Sequence, residues 1–312
     1  MWARKDFAMP TGMITLLDIA KKNGSDRTVG LIEETVVATP ELQLGAARTI
    51  KGISYPVLVR NEVPRGGFRS ANEGTDRLKN NYVNKTFEAM IFNPQWAMDK
   101  AVAMADEDGP AAAMAREAQG IMLGAMIHLA MQFYYGVNND AKGFPGLVAQ
   151  YDLTGMTLDA EGAGGRSVWA VKFGPQHVQW LWAQDGTGLV VTPEREQTLY
   201  DANGKPYTGI CQEINTRVGL QLGSRHSAAR IANLDGTAGH TLNDDLMFDL
   251  LAKFPADVRP DMFLMNTNSL NELRKSRTAT NNTGTPAPIP TEVGNVPIML
   301  TEALKNNEPA VT

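Results

Sequence analysis

Residues 110 to 135 read PAAAMAREAQGIMLGAMIHLAMQFYY, and this alanine- and methionine-rich stretch decides how the chain folds. A helix over these residues would be about 39 Å long at the standard rise per residue. Asp106 and Asp108, followed by Gly109-Pro110, are typical of a helix start, and Gly136 is typical of a helix end. The sequence therefore predicts one long helix that sets the long dimension of the subunit.

The same stretch reaches the length of a membrane span. It contains Gln119, His128 and Gln132 and has no basic flank, so we expect a water-soluble helix and no membrane partner. Gly120 and Gly124 are four residues apart, a spacing that allows close approach of another element. We interpret them as a seat for the chain's own long strand, described below.

Composition excludes several classes of protein. The 312 residues are enough for about two domains. The net charge of −5 argues against a protein that grips nucleic acid through clustered cations. The single cysteine, Cys211, excludes an intramolecular disulfide and fits a reducing compartment. The N-terminus shows no signal peptide.

Two segments before the long helix, residues 1–46 and 60–85, contain little that could form a core. Residues 1–46 include two short amphipathic stretches, 15–22 and 29–37, which are too short to fold alone. We interpret this part as an arm that docks elsewhere. A strand over Ile53 to Arg60 is restricted by Pro56 to a sheet edge or a free ribbon. With a glycine-rich tip and a return through Arg77 to Asn84, it predicts a long projecting hairpin, with a disordered loop as the alternative.

Beyond the helix the period of the pattern changes to two, which indicates strands. The clearest alternation runs from Ile210 to Leu222 and predicts one long, half-buried antiparallel strand. Asn203-Gly204 predicts a tight hairpin turn. Pro297 predicts that the last strand lies at a sheet edge. The other predicted elements are strands over Ser167 to Phe173, His177 to Ala183, Gly188 to Val191, Gln197 to Tyr200, Met262 to Met265 and Val296 to Thr301, a helix capped by Thr241 that runs to Phe254, and a helix over Ser269 to Ser276.

Motifs that carry chemistry are scarce. The chain has no phosphate-binding loop ending in Gly-Lys-Ser or Gly-Lys-Thr, and its four histidines fall on different elements without metal-ligand spacing. We therefore assign no catalytic, cofactor-binding or metal-binding residues. An α+β enzyme with a site around His226 and Asp235 is kept as the alternative.

Several segments, taken in their order and spacing, resemble the major capsid proteins of tailed bacteriophages with the HK-ninety-seven-type fold. The resemblance runs over nearly the whole chain, although no single segment is diagnostic. The similar segments are Ile14 to Ala20, Phe133 to Gly136, Phe144 to Leu147, Ser167 to Val171, Val218 to Asp235, Phe263 to Asn266 and Val296 to Ile298.

The resemblance implies an α+β capsid fold with four parts. Residues 1–46 would be the N-terminal arm and 47–86 the extended loop (E-loop) that lies across a neighbouring subunit. Residues 87–136 and 205–235 would form the peripheral domain with the spine helix and a β ribbon. Residues 137–204 and 236–312 would form the axial domain.

The resemblance further implies self-assembly into hexamers and pentamers of an icosahedral head. The shell would enclose double-stranded DNA without binding it specifically, and it would be assembled in the cytoplasm of the host bacterium. A 46-residue arm is short for a fused scaffold, so we expect a separate scaffolding protein and a portal; a decoration protein stays open. An encapsulin-like nanocompartment shell is a further alternative.

Overall fold

The computed structural model describes residues 38–150, 155–183, 188–280 and 285–311. Of the predicted N-terminal arm, residues 1–37 lie outside the described residues. The helices are α1 (Pro40–Gln43), α2 (Lys100–Ala103), α3 (Pro110–Tyr135), α4 (Leu147–Gln150), α5 (Asp244–Ala252) and α6 (Thr267–Ala279), with a 3-10 turn at Gly136–Asn138. The strands are β1 (Ala47–Ile50), β2 (Ser54–Glu62), β3 (Asn81–Glu88), β4 (Met90–Phe92), β5 (Gln95–Asp99), β6 (Thr157–Asp159), β7 (Arg166–Val171), β8 (Val178–Ala183), β9 (Arg195–Tyr200), β10 (Pro206–Glu213), β11 (Thr216–Leu222), β12 (Ala228–Leu234), β13 (Met262–Met265), β14 (Glu292–Val293) and β15 (Val296–Leu300).

The chain forms two compact units. The first, called here the helix unit, contains 91–129 and 188–216. The second, called here the sheet unit, contains 38–90, 130–187 and 217–312. Most of α3 belongs to the helix unit, and its last turn and a half belongs to the sheet unit.

The helix unit is built on the first two thirds of α3. Its sheet has the order β5-β10-β9, and β10 pairs antiparallel with both neighbours. Met98, Met114 and Ile214 are fully buried between this sheet and the helix. Arg116 pairs with the carboxylates of Asp106 and Asp108 ahead of the helix, so the helix start is fixed by charge as well as by Pro110.

The sheet unit holds the larger core. Its main sheet has the order β14-β15-β13-β7-β12-β6, while β8 lies between β1 and β11 in a second sheet. The end of α3 carries an aromatic cluster in which Phe133 stacks on Trp180 with ring centroids 5.4 Å apart. Gly136 then leaves the helix with φ +53°, and a Cβ there would lie 2.1 Å from the Gly146 amide nitrogen.

Local signals predicted several elements well. The helix occupies 110–135 as predicted, and it ends at Gly136. The hairpin turn at Asn203-Gly204 is confirmed, because Pro206 pairs with Tyr200 across it. The strand Met262–Met265 is present and fully buried.

Two predicted strands were wrong. The alternation from Ile210 to Leu222 is not one strand: β10 ends at Glu213, and β11 begins at Thr216 in a different sheet. Gly188 to Val191 is not a strand, since Val191 makes only an isolated bridge to Ile214.

Three boundaries also needed correction. The return strand of the first hairpin starts at Asn81 instead of Arg77. Asn243, not Thr241, caps α5, and its side chain accepts a hydrogen bond from the Leu246 amide. The helix predicted from Ser269 begins at Thr267 after the capping residue Asn266, and it runs on to Ala279.

The last strand is not an edge strand. β15 lies between β13 and the two-residue strand β14, although Pro297 cannot donate a hydrogen bond. The neighbouring Ile298 amide donates to the Thr291 carbonyl at 2.9 Å and so holds that side of the strand.

Gly120 and Gly124 do not seat a strand of the same chain. A Cβ built at either position meets no atom of the described residues within 4 Å. The prediction that they hold the chain's own ribbon is therefore wrong, and the two glycines leave a bare strip on the exposed side of α3.

Candidate assembly interface

The hairpin of β2 and β3 is the most exposed continuous part of the described chain. From residue 60 to residue 86 every side chain is exposed except those of Pro64 and Asn80, which are half-buried. The nine residues of β2 span about 30 Å at the rise of an extended strand, before the chain continues into the tip. The predicted projecting hairpin is therefore present.

Within the described ranges, β2 and β3 pair only with each other. Their pairing runs from Ser54 opposite Glu88 to Glu62 opposite Asn81, with a register shift between Arg60 and Glu62. Pro56 fits here because a two-stranded ribbon leaves one edge of each strand unpaired. An isolated two-stranded ribbon is marginally stable in water, so this hairpin gains from a covering surface.

The tip at residues 63–80 has no regular secondary structure but has a defined turn. The Glu73 amide donates to the Ser70 carbonyl at 3.3 Å, and the Glu73 carboxylate accepts from the Ser70 amide at 3.3 Å. Arg69 donates to the Glu73 carbonyl at 2.7 Å. Asn72 takes the left-handed conformation at φ +67°, which asparagine tolerates better than most residues.

Large apolar side chains project from this hairpin into open space. Phe68, just before the turn, is 108 % exposed, and Leu58 is 64 % exposed. The same hairpin also exposes Val63, Leu78, Tyr82 and Val83. Apolar side chains grouped on one projection are typical of a protein contact, because in a lone subunit they stay unfavourably hydrated.

The charge of the hairpin is opposite to that of the chain as a whole. Residues 60–85 carry six basic and three acidic residues, whereas the whole chain has a net charge of −5. The helix unit carries nine acidic and four basic residues. A basic hairpin and an acidic unit on copies of one chain are electrostatically complementary, which favours correct docking and fast encounter.

The alternative enzyme site does not form. His226 precedes β12 and Asp235 follows it, so the seven residues of that strand separate them by roughly 20 Å. Burial lowers the pKa of His226. Asp235 instead accepts hydrogen bonds from the Thr237 hydroxyl and amide and from the Ala163 amide, which lower its pKa to about 2. The surroundings of His226 and Asp235 in their loops thus account for both pKa shifts.

The described ranges contain no candidate metal-binding site either. No group of three or more histidine, cysteine, aspartate or glutamate side chains there could hold a metal ion. Cys211 is buried, and burial raises the pKa of its thiol, which fits a side chain that packs in the core. By length and composition α3 could cross a membrane, a test that buried core helices also pass.

Sequence reasoning missed a buried polar network at the end of α3. The Glu308 carboxylate accepts from Tyr135 at 2.6 Å, from Ser167 at 2.9 Å and from Arg230 at 2.5 Å. The Arg230 guanidinium also lies over the Trp169 ring, 5.4 Å from its centroid. The C-terminal segment thus ties the end of the helix to the main sheet. A lone glutamate near a chain end gives no sequence signal for such a role.

The comparisons with known proteins agree with an assembly surface. A family model described as Major capsid protein GP7 matches residues 47–312. The chain belongs to this family. It is therefore a phage major capsid protein, a structural protein and not an enzyme. Curated protein sequences give no significant match.

Solved capsid structures share the fold of this capsid protein. The match to the bacteriophage Epsilon15 capsid structure covers 96 % of this chain and 98 % of the Epsilon15 chain. The two sequences are 20 % identical over it, and the TM-score is 0.72. The match to the bacteriophage JBD30 capsid covers 93 % of this chain and 99 % of the JBD30 chain at 12 % identity, with a TM-score of 0.52. A JBD30 capsid decorated with minor capsid protein trimers gives 0.54 at 12 % identity. The fold is the HK-ninety-seven type, and the nanocompartment alternative is not favoured.

Proposed function

We propose that this capsid protein assembles into the hexamers and pentamers of an icosahedral head, with the β2–β3 hairpin of each subunit lying on a neighbouring subunit. The observation that carries the proposal is the hairpin itself. It is basic, it exposes Phe68 and Leu58, and it pairs with no other strand in the part of the chain that the structure describes. Many such contacts, each of modest strength, reinforce one another in a closed shell.

We propose the helix unit of the neighbour as the surface that receives the hairpin. That unit is acidic, and the strip at Gly120 and Gly124 leaves its helix backbone open to close approach. Exposed glycines permit a partner backbone to come near, and they also accommodate the small differences between quasi-equivalent positions.

The parts implied by the resemblance are retained as proposals. Residues 1–46 are the N-terminal arm, 47–86 the E-loop, 87–136 with 205–235 the peripheral domain, and 137–204 with 236–312 the axial domain. The helix unit contains residues 205–216 of the proposed ribbon, whereas residues 217–235 belong to the sheet unit.

The head would enclose double-stranded DNA without specific contacts, since the acidic chain disfavours tight binding of phosphates. We further propose assembly in the host cytoplasm with a separate scaffolding protein and a portal, and we leave a decoration protein open. Assembly of the lone chain into shells of the correct size would argue against the separate scaffold.

A tip variant tests the proposed contact. Replacing Arg65 to Gly74 with a two-residue Asn-Gly turn shortens the tip and removes Phe68. We expect soluble, folded subunits that form no closed particles, as judged by circular dichroism, gradient sedimentation and electron microscopy. Normal shells from this variant would refute the role of the tip.

A further inference from the structure

Glu41 is a carboxyl group buried where the described chain begins. It lies in α1, and its exposed fraction is 0 %. Its carbonyl oxygen accepts a hydrogen bond from the Trp180 indole at 2.9 Å. A Cβ at Gly45 would lie 2.3 Å from that oxygen, so the loop after α1 fits tightly against the same point.

Among the described residues, the side chains that act on the Glu41 carboxyl are neutral hydroxyls. Its Oε1 accepts from the Thr301 hydroxyl at 3.2 Å, and its Oε2 has no hydrogen-bond partner in the structure. The Tyr134 hydroxyl of α3 is also buried and lies close enough to lower the pKa of Glu41, although the two groups are not aligned for a hydrogen bond. The described ion pairs do not include Glu41, and no cation contributes to its titration.

These surroundings favour the protonated acid. Burial is the largest effect and raises the pKa of Glu41 to about 7, against smaller opposing effects of its own amide, Thr301 and Tyr134. Burial, together with the Glu41 charge, raises the pKa of Tyr134 well above its usual value, so the tyrosine stays neutral when Glu41 titrates. A fully buried carboxyl with one oxygen lacking a hydrogen bond, and with no cation beside it among the described residues, favours the neutral acid over the carboxylate.

We propose that Glu41 anchors the segment that follows the N-terminal 37 residues as a neutral acid, and that this anchor loosens when the carboxyl loses its proton. The anchored segment is 39–46, which joins those residues to β1 in the sheet unit. The device would couple the attachment of the arm to pH, a property beyond the assembly contact proposed above.

The sign of the effect follows from the raised pKa. Stabilisation by the proton is fully present below the unfolded value of 4.5 and is lost as pH rises to the folded value of about 7. If the opened segment exposes the carboxyl to water, its opening constant increases roughly 70-fold from pH 5 to pH 8. Above pH 8 it changes little.

Hydrogen exchange on the unassembled subunit tests this. The reporter amides are those of Leu42 and Leu44, which donate to the Thr39 and Pro40 carbonyls. After correction for intrinsic exchange, we expect their protection to fall roughly 70-fold between pH 5 and pH 8 in the wild type. Glu41→Gln, a neutral isostere, should show less than about a threefold change.

Glu302→Gln is the matched control, because it removes an exposed carboxylate beside Thr301. It should retain the wild-type pH dependence. Equal pH dependence in the wild type and Glu41→Gln, or none in the wild type, would overturn the proposal.

A second measurement does not depend on a variant folding. Infrared spectra of wild-type protein with isotope-labelled glutamate should show the carbonyl stretch of a protonated carboxylic acid at pH 6 and lose it by pH 8.5. Absence of the band at pH 6 would also overturn the proposal. Both measurements use unassembled subunits, so their outcome is separate from whether the hairpin builds shells.

Discussion

Substituting Glu308 with glutamine should strongly destabilise the subunit, because it breaks a buried ion pair while preserving the shape of the side chain. The Arg230 and Glu308 side chains are 5 % and 3 % exposed. Removing one member of such a pair leaves an uncompensated charge and costs about 3–5 kcal/mol. Tyr135 and Ser167 still find an acceptor in glutamine, so the loss reports mainly on the charge.

A double substitution separates charge from packing. Glu308→Gln with Arg230→Met leaves no buried charge at this place and retains an acceptor for Tyr135 and Ser167. Its free energy of unfolding should lie within about 2 kcal/mol of the wild type, since neutral replacements of buried pairs are tolerated. The single variant should be the less stable of the two.

Urea unfolding of unassembled subunits, followed by tryptophan fluorescence, measures these differences. Glu196→Gln is the matched control, because it breaks the exposed pair with Lys100, whose side chains are 60 % and 36 % exposed. That loss should not exceed about 1 kcal/mol. The reasoning is refuted if Glu308→Gln costs no more than the control, or if the double variant is no more stable than the single one.

Other predictions concern the helix and the hairpin. Gly136→Ala should lower the free energy of unfolding by at least about 2 kcal/mol, because alanine is strained at a left-handed φ and its Cβ would clash with the backbone at Gly146. Urea unfolding measures this free energy. Gly120→Ala should instead raise it by about 0.5–1 kcal/mol in unassembled subunits, because the added methyl meets open space in a helix; a loss in the same assay would contradict this. Phe68→Asp should leave the free energy of unfolding of the unassembled subunit unchanged. It should reduce the yield of particles on gradients at least tenfold, because a phenylalanine buried in the contact with a neighbour contributes about 2–3 kcal/mol to each contact. Ile289→Asp is its control, because Ile289 is a 62 % exposed apolar side chain outside both the hairpin and the helix unit, and this variant should assemble normally.

The elements predicted well from sequence are those defined by neighbouring residues. Pro110 and Gly136 fix the ends of α3 through the missing amide and the left-handed turn, whatever the helix packs against. The hairpin with Pro56 was equally readable, because a proline and a lack of core residues exclude a central strand.

The failures share a physical cause, which is dependence on distant partners. The alternation through Asn215 continues unbroken, yet β10 pairs with β5 and β11 pairs with β8. An alternation of apolar and polar residues with a period of two predicts which face of a strand is buried, but it does not predict which strand pairs with it. Pro297 predicts an edge, but a two-residue strand, β14, pairs with that side of β15.

The buried acids were invisible for the same reason. Glu41 and Glu308 read as surface residues, since isolated glutamates seldom enter a core. Only the fold brings Arg230 to Glu308, and it places no cation of the described residues beside Glu41. The candidate interface fared better, because its exposed apolar and basic residues lie within one continuous stretch.

A cryo-electron microscopy map of the assembled shell tests the central claim most directly. We predict that residues 63–80 of each subunit lie against the helix unit of a neighbour, with Phe68 buried there. A closed shell in which every hairpin tip stands free in solvent, or rests only on its own subunit, would contradict it.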